Sequence, residues 1–143
     1  MVIPSHLMGA VKKILDTVVI CPPVVSQFAA LGALEAGSEY AREQILSIAE
    51  VRHLALNEMA GLGDRCVIPQ VNGAFYFLIR VNTDLEPMQV VERLIVEHKV
   101  AVIPGSTFGI EKGCYLRVAY GALQKDTVVE GIGRLVNGIQ AIV

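Results

Sequence analysis

The sequence predicts an α+β fold, a small antiparallel sheet of about 3–4 strands covered by helices. Three observations predict it. Apolar positions recur at helical spacing up to Ala60, β-branched and aromatic runs appear only after Arg65, and two further amphipathic helices are interleaved with those runs.

The elements follow in chain order. Ser5 to about Val19 reads as a helix, with Leu7, Val11, Ile14, Leu15 and Val18 on one stripe and Lys12, Lys13 and Asp16 opposite, and Pro22–Pro23 end it. Val24 to about Ala36 is a second helix, rich in Ala and Leu, stopped by Gly37; its apolar character implies burial. From Ser38 to about Ala60 a longer charged helix follows, closed by Gly61 and Gly63. In "RCVIPQVNGAFYFLIRV" the period changes, and Asn72–Gly73 suits a hairpin turn between two antiparallel strands. Pro87 fits the first turn of a helix running to about His98, with a stripe of Met88, Val91, Leu94 and Ile95. A short strand "VAVI" at 100–103 and a loop "PGSTFG" at 104–109 lead to the strand "GCYLRVAYG" at 113–121. Thr127-x-x-Glu130 has the form of a capping box, and Val128, Ile132, Leu135, Ile139 and Ile142 make one stripe of a final helix.

Residues 1–143 show no repeat, low-complexity tract or linker and read as a single domain. Twelve basic against fourteen acidic residues, with no basic cluster beyond Lys12–Lys13, argue against nucleic acid as a partner. Cys21, Cys66 and Cys114 form no C-x-x-C pair, so neither a disulfide framework nor a zinc site is signalled, and a reducing cytoplasm fits best. His6, His53 and His98 lie far apart without acids at ligand spacing, so no metal site is expected. "GIGRLVNG" and "GSTFGIEKG" lack phosphate-loop spacing, and no serine stands in a nucleophile-elbow motif. The charge-free run Thr17–Leu34 reaches the length of a membrane span, but Pro22–Pro23 cut it, and "MVIPSHLMGAVKK" lacks the layout of a signal peptide. A mean hydropathy of +0.53 is high for a protein of this size. Some apolar surface is therefore expected to stay uncovered.

One residue stands out against that background. Strand alternation in 113–121 puts Cys114, Leu116, Val118 and Tyr120 on one face, the core face, and Tyr115, Arg117 and Ala119 on the other. There Arg117 can reach for a planar anion, snorkel to water or join an internal salt bridge.

The succession "NGAFYFLI" (72–79), "KVAVIPGSTFG" (99–109) and "GCYLRVAYG" (113–121), followed by a terminal amphipathic helix, resembles the C-terminal, small-domain part of class I/II, fold-type I aminotransferases. "DTVVICPPVVSQFAALGALE" is similar to the segment that follows the cofactor lysine in that family, and the resemblance runs over essentially the whole chain. It implies amino-group transfer between an amino acid and a 2-oxo acid, with Arg117 binding the substrate α-carboxylate. It also implies that the helical segment of about residues 1–36 normally joins a large domain. That domain carries the lysine to which pyridoxal phosphate is attached, and Lys12, Lys13, Lys99, Lys112 and Lys125 match no such motif. The chain alone is accordingly expected to bind no pyridoxal phosphate covalently and to hold no catalytic residue. Uncovered apolar surface around residues 17–34 implies a homo-oligomer or a separately encoded large domain as partner. The alternative is a non-catalytic module, either carboxylate-binding or merely self-associating.

Overall fold

The computed structural model describes residues 2–143. Contacts divide the chain into two compact units, one ending at Glu43 and the other spanning Gln44–Val143.

The first unit is helical. A 3-10 turn, Ser5–Leu7, leads into α1 (Met8–Val18); α2 (Val24–Ala36) and the start of α3 (Glu39–Met59) follow. Pro23 caps α2 in extended geometry, and Gly37 ends it at φ 74°, a left-handed angle that a glycine adopts without cost. No side chain of α1 or α2 is buried. This overturns the burial expected of α2, whose Phe28 and Leu34 are 70% and 80% exposed. A helix apolar on all sides needs cover on all sides, and a unit of this kind supplies none.

The second unit has the α+β architecture that the sequence predicts. After the remainder of α3 and a 3-10 turn (Ala60–Arg65) come β1 (Cys66–Val67), β2 (Tyr76–Val81), α4 (Pro87–His98), β3 (Ile103–Pro104), β4 (Cys114–Ala119) and α5 (Lys125–Ile142). The four strands run β1-β2-β4-β3, and every neighbouring pair is antiparallel. Along β2 and β4 the register is complete, from Tyr76 opposite Ala119 to Val81 opposite Cys114. Phe77, Ile79 and Val81 therefore share a face with Cys114, Leu116 and Val118, and all six are buried. Val51, Ala55 and Met59 of α3, Val90, Val91 and Leu94 of α4, and Val128, Ile132, Leu135 and Ile139 of α5 complete that core. Gly138 allows α5 to approach α4, since a Cβ there would stand 2.6 Å from Leu94 Cδ2.

Four local expectations are corrected. Asn72–Gly73 does not form a tight hairpin: β1 stops at Val67, before Pro69, and pairs only with Arg80 and Val81, leaving a long connection. The left-handed residue of that connection is Ala74 at φ 65°. In α4 the buried stripe is Val90, Val91 and Leu94, whereas Met88 and Ile95 are exposed; spacing fixes a stripe but not which neighbouring stripe meets the sheet. Strand β3 comprises Ile103–Pro104 rather than 100–103. Finally, α5 is capped by Gln124, with Thr127 as the reciprocal partner through Gln124 N–H donating to Thr127 Oγ1 at 3.1 Å.

Candidate functional site

The outward face of the sheet carries Tyr76, Leu78 and Arg80 from β2 and Tyr115, Arg117 and Ala119 from β4, as alternation in β4 predicts. Arg117 is central in it, opposite Leu78 on one side and Ile103 on the other. Strand pairing on both sides fixes its backbone, so only its side chain can vary.

Two aromatic rings hold that side chain. Its guanidinium carbon lies 4.2 Å from the centroid of the Tyr76 ring and 5.4 Å from that of Phe108. Both separations are within cation–π range. Among the described residues no hydrogen bond or ion pair engages the Arg117 side chain, so it is not part of an internal salt bridge. Its Nε is enclosed without a partner, while the residue as a whole is half-buried. A half-buried guanidinium with no counter-charge is unusual, because desolvation is ordinarily offset by an anion.

The rings are placed by two tight backbone features. Phe108 ends a 3-10 turn, Gly105–Phe108, that Gly109 closes at φ 82° with its N–H donating to Ser106 O. Gly105 sits directly against β4, where a Cβ would lie 2.6 Å from Tyr115 Cβ. At the other end, Tyr120 Oη donates to Ala74 O at 3.0 Å and Tyr120 N–H to Phe75 O at 2.9 Å. These bonds pin the left-handed Ala74 just before β2 begins. Phe75, half-exposed, meets the Tyr76 ring edge-on at 5.7 Å. The sequence places Arg117 on its face, but Tyr76 and Phe108 become its neighbours only through the sheet register and the turn.

Two concavities lie elsewhere in this unit, and Arg117 borders neither. The larger, about 630 Å³, is mostly apolar and is lined by Ile45, Ile48, Val71, Phe75 and Tyr120, with Arg52 committed to Val71 O at 2.7 Å. The smaller, about 300 Å³, is bordered by Arg80, Asn82, Asp84 and Cys114. All five lysines are exposed and none borders either concavity. Lys125 pairs with Glu50, and Lys99 Nζ donates to Val96 O. Among the described residues no group of three or more His, Cys, Asp or Glu is placed to hold a metal ion, and no helix is long and apolar enough to cross a membrane. All three cysteines are free; burial, and the proximity of Cys114, push the Cys66 thiol up to about 11.

Comparison with known proteins places this chain in a family. The family model for aminotransferase class I and II matches residues 1–135. An aromatic aminotransferase, ISS1, from Arabidopsis thaliana is 33% identical over 131 residues, which are 91% of this chain and 32% of that protein. An aspartate aminotransferase from Thermotoga maritima is 32% identical over 126 residues, 88% of this chain and 31% of that one. In fold, the chain is similar to the crystal structure of Pyrococcus horikoshii kynurenine aminotransferase, with a TM-score of 0.81 at 17% identity, covering 97% of this chain and 35% of that one. The chain thus spans about a third of the length of the relatives it matches. It belongs to the class I and II aminotransferases.

Proposed function

We propose that this chain is the small-domain portion of a pyridoxal-phosphate-dependent aminotransferase, and that Arg117 binds the α-carboxylate of the amino-acid or 2-oxo-acid substrate. One observation carries the reading: Arg117 is held on the open face of the sheet with no internal anion to satisfy it. A guanidinium presents parallel donors that match the two oxygens of a carboxylate. Fixing one end of the substrate in this way orients its α-carbon, and orientation lowers the barrier to the chemistry that follows. Pyridoxal phosphate, in a full-length member, supplies the electron sink for that chemistry.

In this reading the chain alone supplies half of a site and does not transaminate, which the solvent-facing positions of its lysines support. A large domain, in the same or a separately encoded chain, supplies the rest. The exposed apolar α2 supports such a partner, and it equally favours a second reading, a self-associating module without catalysis. The free thiols agree with a cytoplasmic setting.

Calorimetric titration of the 143-residue chain with 2-oxoglutarate tests the reading. Binding that weakens at least tenfold in Arg117→Ala is the expected result; no binding, or equal binding by the variant, sinks the anchor role and leaves the self-associating module. Incubation with pyridoxal phosphate and borohydride is expected to leave the lysines unmodified at stoichiometric level.

A further inference from the structure

The same guanidinium poses a further question: what keeps it in place when no substrate is bound? Arginine loses rotamer freedom when fixed, and here no ion pair or side-chain hydrogen bond does the fixing. We infer that Tyr76 and Phe108 are positioning residues for Arg117, clamping its guanidinium plane so that an incoming carboxylate meets a pre-set pair of N–H donors. The inference rests on the anchor reading above and extends it to residues that do not touch the substrate's reacting atoms.

Three observations support the clamp. The rings come from separate parts of the fold, β2 and the Gly105–Phe108 turn, and both lie within cation–π distance of one guanidinium carbon. Enclosure falls on Nε: it is shut off from solvent without a partner, and neither Nη nitrogen is enclosed in that way. Each ring is itself anchored by backbone, Tyr76 by full pairing with β4 and Phe108 by the glycine-bounded turn. An aromatic clamp has an advantage over a carboxylate clamp. A resident Asp or Glu would occupy the donors that the substrate needs and would have to be displaced, whereas a ring face holds the cation and leaves its N–H edge free.

Arginine side-chain NMR on the intact chain tests the clamp directly. The Arg117 Nε–H line, identified by its disappearance in Arg117→Lys, is expected upfield of the other arginine lines because of the ring currents, and slow to exchange. In Tyr76→Leu and in Phe108→Leu it moves toward the ordinary position, and 2-oxoglutarate affinity falls about tenfold in the double variant. Tyr76→Phe keeps a ring and is expected to keep both properties. Phe108 is half-exposed on a turn, so Phe108→Leu alone is informative where the β2 substitution unfolds the chain. A wild-type line at the ordinary position overturns the clamp, as does affinity unchanged in leucine variants whose line has moved. A shifted line in a wild-type chain that binds no 2-oxoglutarate instead overturns the anchor reading, and the positioning role with it.

Discussion

Replacing Gly105 by alanine asks whether the close approach of the Phe108 turn to the sheet is as tight as its geometry implies. The added Cβ would stand 2.6 Å from Tyr115 Cβ and 3.2 Å from Tyr115 O, against 3.4 Å or more for ordinary contact. Relief needs a movement of about 0.8 Å. Neither neighbour can supply it cheaply, because both belong to the rigid part of a residue in β4, whose pairing with β3 at Pro104 and Ile103 starts immediately beside Gly105. Overpacking of this kind costs roughly 1–3 kcal/mol. With a urea dependence of about 2 kcal/mol per molar for a domain of this size, the unfolding midpoint should fall by about 1 M. Tyrosine fluorescence during urea unfolding reads the change. Gly131→Ala is the control: it lies within α5 with nothing within 4 Å of its Cβ, so it should stabilise by about 0.5–1 kcal/mol through helix propensity alone. If Gly105→Ala unfolds at the wild-type urea concentration, the turn is not seated against Tyr115 and the placement of Phe108 over Arg117 loses its support.

Tyr120→Phe removes the bond from Tyr120 Oη to Ala74 O and should cost about 1 kcal/mol in the same urea assay, since the Ala74 carbonyl loses its donor while the ring still packs on Phe77. Cysteine titration gives a pH prediction. Cys66 has its thiol raised by burial from 9.0 to about 11, so the folded state holds the proton that the unfolded state gives up, and stability present below pH 9 is lost as pH rises toward 11. The loss should be smaller in Cys66→Ala when urea midpoints at neutral pH and pH 10 are compared, and iodoacetamide at neutral pH should label only Cys21 in the native chain.

The legible parts of the fold are those set by local chemistry. Pro22–Pro23 and Gly37 bracket α2 because one residue type cannot continue a helix and the other ends it freely, and the structure begins and ends the helix at Val24 and Ala36. Alternation in 113–121 separates the buried Leu116 from the half-buried Arg117 because a strand has only two faces. What escaped depends on partners distant in sequence. Asn72–Gly73 has the composition of a tight turn, yet Pro69 cannot donate to a ladder, and the chain instead turns at Ala74, held by the hydroxyl of Tyr120. Likewise Val90 rather than Ile95 enters the core because α4 is rotated by what it packs on, including Gly138 of α5. The outward placement of Arg117 was legible for the same reason as the core face, whereas its aromatic neighbours were not, because sheet register and a turn seated on Tyr115 bring them to it.

Those two placements make a physical argument about the site as a whole. An arginine on the open face of a sheet has an ordinary fate, pairing with a carboxylate of its own chain, and this chain has fourteen acidic residues from which to choose. None is brought to Arg117, and two rings are brought there instead. The fold holds both rings by contacts that leave little room, Tyr115 against Gly105 beneath one and Phe75 against Gly121 beside the other, where a Cβ would lie 2.6 Å from Phe75 Cβ. Such packing sets the cation in position before any ligand arrives. In the anchor role proposed for Arg117, the free energy of carboxylate binding is then not spent on displacing an internal anion or on ordering the arginine, and most of it is left to hold the substrate in line for reaction.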